Sequence, residues 1–213
     1  METQQPVATV IGDVVGSRSA ASRAALHARV VGLLAEANAA APLVPLRITV
    51  GDEFQGCFAE VGAALRAVRA LRLAGLPDVD LRFGIGWGPV AVLEESPRVE
   101  DGPGWWAARA AIETAADEAG RPGRRLTRSA YRCAEGVAGP SEAAVNAALL
   151  LRDQVIGALS PRSLSVVRGL LDGRTQGEIA AAEGVSASAV SQRVRNDGLA
   201  TLVAAEALLE EVR

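Results

Sequence analysis

Aromatic residues are scarce in this 213-residue chain, at 3%, and it holds one histidine and two cysteines. Two cysteines, Cys57 and Cys133, exclude a disulfide framework and a cysteine-built zinc site. No apolar run approaches the ~20 residues of a membrane span. The N-terminus has no basic region followed by an apolar one, so no secretory signal is expected. One-sided charge is lacking too. The formal net charge is −3, so any contact with DNA has to come from a local patch rather than from overall basicity. These absences together lead to the expectation of a soluble, cytoplasmic protein without a membrane partner.

What is present supports a packed core. Hydrophobic residues make up 49% and charged residues 22%, which argues against disorder. Much of the apolar fraction is alanine, so helices packed closely through small side chains are expected.

The stretch Ile48-Thr49-Val50-Gly51-Asp52-Glu53-Phe54-Gln55-Gly56-Cys57-Phe58 reads as strand, tight turn, strand, with carboxylates at the turn. Before it, Val7-Ala8-Thr9-Val10-Ile11-Gly12-Asp13 is an apolar run ending in an acid and reads as a buried central strand. Helices are predicted over residues 20–40, 60–74 and 104–119. Residues 79–88 alternate as a strand. Its glycines Gly84, Gly86 and Gly88 bare one face, for close approach either of a helix or of a ligand. Residues 89–93 read as a strand returning along it, 94–104 as a polar loop, 126–134 as an edge strand and 141–159 as a helix capped by Ser141. The fold class is therefore α+β: a ferredoxin-like βαββαβ sheet with helices on one face, over residues 1–135. A connecting helix over 136–159 then leads to a small all-α domain over 160–213.

In such a sheet Asp13, at the end of the first strand, and Asp52, in the hairpin, converge on one edge. Two converging carboxylates call for a cation, and Mg²⁺ takes carboxylate oxygens while leaving room for phosphates. The backbone of Val14, Val15, Gly16 and Ser17 is placed to receive those phosphates. His27 and Cys57 read as structural residues, and Glu53 as a solvated turn residue. Trp105 and Trp106 read as packing against the sheet, with stacking on a base as the alternative.

The ordered set Asp13-Val14-Val15-Gly16, Gly51-Asp52, Arg82-Phe83-Gly84-Ile85-Gly86-Trp87-Gly88-Pro89-Val90 and Ala107-Ala108-Arg109 resembles the class III nucleotidyl cyclases. Gly51-Asp52-Glu53-Phe54 is also similar to the signature of the GGDEF diguanylate cyclases. The Ile11-Gly12-Asp13 start, the Gly51-Asp52-Glu53-Phe54-Gln55 hairpin and Arg82-Phe83-Gly84-Ile85-Gly86 look like the SatD family. The resemblance implies that Asp13 and Asp52 are metal ligands, that residues 14–17 contact phosphate and that Arg109 is the transition-state arginine. It also implies a homodimer. The cyclase asparagine is replaced by Trp105 here, and the lysine and aspartate that select the purine have no counterpart. Nucleotide binding without efficient cyclisation is the expectation.

In residues 160–213, Ser160-Pro161 opens a helix and Thr175 with Glu178 forms a capping box. Ile179, Ala180, Gly184, Val185, Val190 and Val194 follow helix-turn-helix spacing, and residues 159–202 resemble the region-4 or LuxR-type helix-turn-helix. Ser188, Ser191, Gln192, Arg195 and Asn196 point away from the valines and are candidate base-reading residues. Arg193 is a candidate phosphate contact. The segment carries about six basic against seven acidic residues, so the alternative is a bundle for assembly. The apolar stripe of residues 199–209 is the expected dimer contact. The sequence thus reads as a nucleotide- and metal-binding cyclase-like sensory domain fused to a DNA-binding module. The alternative is a Mg²⁺-dependent nucleotidyl or phosphoryl transferase whose C-terminal helices serve assembly.

Overall fold

A computed structural model describes residues 5–213. Its elements run β1 (Val7–Val14), α1 (Arg23–Asn38), β2 (Val44–Ile48), β3 (Phe54–Phe58), α2 (Val61–Gly75), β4 (Leu81–Gly88), β5 (Ala91–Glu95), β6 (Arg98–Asp101), α3 (Pro103–Ala119), β7 (Ser129–Cys133) and α4 (Glu142–Ala158). Four further helices complete the chain: α5 (Pro161–Leu171), α6 (Gln176–Glu183), α7 (Ala187–Asn196) and α8 (Leu199–Glu210). No helix among the described residues is long and apolar enough to cross a membrane.

The main sheet has the order β2-β3-β1-β4-β7. β1 is central and antiparallel to both β3 and β4, and β7 joins β4 in parallel. Its first six elements follow the βαββαβ order. The run of apolar residues in β1 is continuous because both faces of the strand are covered. Val10 lies in the core shared with Leu33 of α1 and Leu65 of α2, whereas Ile11 packs with Ala108 and Ile112 of α3.

Helices therefore lie on both faces of the sheet, not on one as expected. The glycine stripe is what admits α3. A Cβ on Gly84 would overlap the Ala108 carbonyl, and one on Gly86 would overlap the Gly104 carbonyl and the Ala108 amide. Thr9 completes the seam by donating its hydroxyl to the Gly104 carbonyl at 2.8 Å. The bare strand face serves helix packing rather than a ligand.

The segment after β4 also departs from expectation. Residues 91–95 pair with β6 and not with β4. Both edges of β4 are already taken, by β1 and β7, so no ladder remains for a returning strand. The expected polar loop is in fact the second half of this β5–β6 arm.

α1 starts at Arg23 because the Ser22 side chain caps it, accepting from the Ala25 amide. The helix α4 does more than connect. Val145 and Leu149 enter the sheet core, and Ile156 enters the core of the C-terminal helices. That second core is built from Leu164, Val167, Ile179, Val190, Leu199 and Leu202, with Leu73 of α2. The Thr175–Glu178 capping box is formed, and Gly184 ends α6 at φ 64°, a left-handed conformation that favours glycine. The apolar stripe of α8 is spent inside the chain: Leu199, Leu202 and Leu209 are buried, and Leu208 is the exposed leucine of that helix. It is not an open dimer face.

Buried charges bind these helices to the sheet domain. Arg72 of α2 pairs with Asp153 of α4. Arg69 of α2 reaches Glu210 of α8 at 2.6 Å and Glu206 at 3.6 Å. Burial pulls the Arg72 guanidinium down from its ordinary value while Asp153 opposes that shift. Burial likewise pushes the Glu206 carboxyl up, against Arg152 and Arg69.

Candidate functional site

The end of β1 and the β2–β3 hairpin meet at one corner of the sheet. Beyond Val14 the chain turns sharply. Val15 donates its amide to the Asp80 carbonyl at 2.8 Å, Gly16 adopts φ 72°, and residues 17–19 form a single 3-10 turn. The leading N–H groups of such a turn have no acceptor within it. The hairpin closes through Thr49 and Glu53, the Thr49 amide donating to the Glu53 carbonyl at 2.8 Å, with Gly51 left-handed at φ 65°. One oxygen of Asp52 accepts the Val14 amide at 3.2 Å, which pins the hairpin tip to the end of β1.

Between them opens a cleft of about 490 Å³. Asp13, Asp52, Glu53 and Arg82 line it together with Val14, Gly16, Ser17 and Arg18. The two aspartates singled out in the sequence thus share one cavity. Val15 is not among its lining residues, its amide being spent on Asp80.

Two arginines dominate the electrostatics. Arg82 stands opposite Asp13 in the β1–β4 register and donates to both its oxygens, from Nε at 3.1 Å and from a terminal nitrogen at 2.5 Å. Arg109, on α3, grips Glu53 with two bonds of 2.7 Å. That fork-to-fork pairing raises the Arg109 pKa, and Asp13 adds to the same effect. Glu53 is therefore an ion-pair partner rather than a merely solvated turn residue. Arg82 was legible in the motif, but its role was not. Pairing the polar end of β1 with the polar start of β4 would have exposed it.

Trp105 lies elsewhere. It is 7% exposed and packs with Ile11, Val44 and Cys57, its indole N–H without a partner among the described residues. Burial pushes the Cys57 thiol in the same cluster up to about 12. Trp106 is exposed and donates its indole N–H to Asp101 at 2.8 Å.

The donor set at the cleft is of the kind Mg²⁺ takes: carboxylate oxygens, with no histidine or cysteine. Mg²⁺ is commonly held by one or two carboxylates, the rest of its shell being water and phosphate. Asp52 has an oxygen to spare. Asp13 has its carboxylate occupied by Arg82, which a cation would have to share or displace. No group of three or more His, Cys, Asp or Glu side chains suited to a metal occurs among the described residues.

On α7, Ser188, Gln192, Arg195 and Asn196 are exposed, while Val190 and Val194 are buried. Ser191 is half-buried and accepts from Arg195 at 2.7 Å. Arg193 is turned inward instead, donating to the Ser160 and Ser163 hydroxyls at 3.2 and 3.0 Å.

Comparison with solved structures gives partial overlaps. The chain is similar to a bacterial light-regulated adenylyl cyclase at 14% identity and a TM-score of 0.43, over 55% of this chain and 42% of that one. It is similar to the catalytic core of a rhodopsin-guanylyl cyclase with converted specificity, in complex with ATPαS, at 18% identity and a TM-score of 0.45, over 53% of this chain and 74% of that one. It is also similar to the monomeric guanylyl cyclase domain of the RhoGC fusion protein from the aquatic fungus Blastocladiella emersonii, at 19% identity and a TM-score of 0.41, over 53% and 77%. The chain thus spans less than half the length of the light-regulated cyclase. No curated protein matches it. A model of the SatD family matches residues 7–208, through the sheet and nearly all of the C-terminal helices, and the chain belongs to the SatD family.

Proposed function

We propose that this protein binds a nucleoside polyphosphate with Mg²⁺ in the cleft at the end of β1 and signals that occupancy through its C-terminal helices. One observation carries the reading: Asp13 at the end of β1 and Asp52 in the β2–β3 turn line one cavity with the turn that follows β1. Asp13 and Asp52 would hold the ion, which would supply positive charge to offset that of the phosphates. The chain's own residues do the rest. The turn at residues 16–18 offers N–H donors to phosphate oxygens, and Arg82 and Arg18 bring positive charge to the same walls. Arg109, always charged, stands at the rim through Glu53.

A binding role fits better than turnover. Charge developing on a transferring phosphoryl group needs preorganised donors aimed at it. Trp105 is buried in the core under α3 and lies outside the cleft lining. In calorimetry with Mg²⁺ and nucleoside triphosphates, Asp52→Asn keeps an acceptor for the Val14 amide and so the fold, but weakens Mg²⁺-dependent binding about tenfold or more. Equal affinity of both proteins, or binding by neither, refutes the reading.

The output half of the proposal is DNA recognition by α7 in a homodimer, since one small helix pair makes too small an interface for tight specific binding. Its support is the exposed polar row Ser188, Gln192, Arg195 and Asn196 on a helix whose valines are buried. In mobility-shift titrations over genomic fragments, Arg195→Ala should weaken a specific complex by about 1–3 kcal/mol. A parent protein that shifts no fragment, with or without nucleotide, removes this half and leaves the helices as an assembly module.

A further inference from the structure

A second cavity adjoins the cleft on the far side of the hairpin tip. It measures about 300 Å³, the low end of the range for small-ligand pockets. Arg23, Leu26, His27 and Val30 of α1 form one wall, and Ile48, Gly51 and Asp52 of the hairpin form the other. The α1 residues recur at i, i+3, i+4 and i+7, the spacing of a helix face that normally packs on its neighbour. Here the hairpin tip stands away from it. A Cβ on Gly51 would meet nothing within 4 Å. The floor is apolar, from Leu26, Val30 and Ile48, while the rim carries His27 and Arg23, both exposed.

Among the described residues, Asp52 alone lines both this cavity and the cleft. A ligand with its phosphates in the cleft would continue past Asp52 into an apolar-floored space. Inorganic polyphosphate has nothing to put there. A phosphoester with a flat heterocyclic body does. An imidazole ring and a guanidinium plane at the rim are the side chains on which a nucleobase stacks.

We propose that the cavity between α1 and the hairpin is the nucleobase subsite of this protein, with His27 as its stacking residue. The inference rests on the nucleotide reading of the cleft and specifies it further. Among the described residues, Asp52 is the one carboxylate or amide side chain that lines the cavity, so the subsite tells a nucleotide from a bare polyphosphate more sharply than one purine from another.

The test is calorimetry on the full chain in Mg²⁺ with ATP, GTP and inorganic tripolyphosphate. Wild type is expected to bind both nucleotides at least about tenfold more tightly than tripolyphosphate, with ATP and GTP within about threefold of each other. His27→Ala removes the stack. Ala24→Trp fills the cavity from an exposed position on α1, and the two variants check each other should one fold poorly. Both should erase the nucleotide margin and leave tripolyphosphate affinity within about twofold of wild type. Equal binding of tripolyphosphate and nucleotides by wild type, or a margin that survives both variants, overturns the subsite while leaving the cleft reading intact. Failure of wild type to bind any of the three ligands overturns both.

Discussion

Asp13 and Arg82 face each other across the β1–β4 ladder, and the Arg82 guanidinium takes both oxygens of the Asp13 carboxylate. The candidate metal ligand is thus held by an internal cation. Arg82→Ala leaves Asp13 unpaired beside Asp52, so an added divalent cation no longer competes with the guanidinium. Mn²⁺ titration without nucleotide should show affinity about fivefold tighter in the variant, the equivalent of ~1 kcal/mol for a part-exposed ion pair. An unchanged affinity would show that Arg82 and the cation do not contend for Asp13.

The C-terminal tail caps a helix of the sheet domain. α2 has no side-chain cap at Glu60, and the Gly62 amide donates instead to the Val212 carbonyl at 2.8 Å. A Cβ at position 62 would overlap the Glu210 carbonyl. Gly62→Ala must therefore push α8 away from α2, and an overpacked contact of this kind costs about 1–3 kcal/mol. Urea unfolding should show that loss in the midpoint. A variant as stable as wild type would mean that the tail is free to move off α2.

These two contacts mark the limit of what the sequence could reveal. The period of β1, the hairpin around Asp52 and the Thr175–Glu178 box were legible because each is a local pattern of a few residues. So was the meeting of Asp13 and Asp52, because the βαββαβ order puts β1 beside β3. The side of the sheet taken by α3 was not, although Gly84, Gly86 and Gly88 announced that something would approach closely. The partner of β5 depended on whether β4 kept a free edge, which is a property of the whole sheet. The grip of Arg109 on Glu53 joins residues 56 positions apart and needs the exact placement of α3.

Glu206 predicts a pH dependence. Its carboxylate lies 1% exposed among Arg69 of α2, Arg152 and Asp153 of α4, and Glu210 of its own helix. Burial raises its pKa above the ordinary 4.5, more than the arginines lower it. The folded state then binds a proton that the unfolded state releases as pH rises past 4.5, so this group's contribution to stability falls over that interval. Thermal melts of wild type and Glu206→Gln between about pH 4.5 and 7.5 should show wild type losing ground to the variant as pH increases. The opposite trend would mean that Arg69 and Arg152 outweigh desolvation.

The outer edge of β7 supplies the last test. An exposed edge strand invites pairing with another chain. Here side chains of α4 stand in for the missing strand. Asn146 accepts the Tyr131 amide and donates to the Tyr131 carbonyl, both at 2.8 Å. Glu142 accepts the Cys133 amide at 2.8 Å, and Asp153 accepts the Ser129 amide at 2.7 Å. Asn146→Ala strands both Tyr131 groups in a part-buried seam, at a cost of about 2 kcal/mol. Asn146→Asp keeps an acceptor for the amide but turns a carboxylate on the Tyr131 carbonyl, and should lose at least as much. Calorimetric melting should fall for both variants, and light scattering at high protein concentration should rise, because the uncovered edge can then pair between chains. Melting and scattering unchanged from wild type would mean that water satisfies Tyr131 and that α4 does not guard the edge.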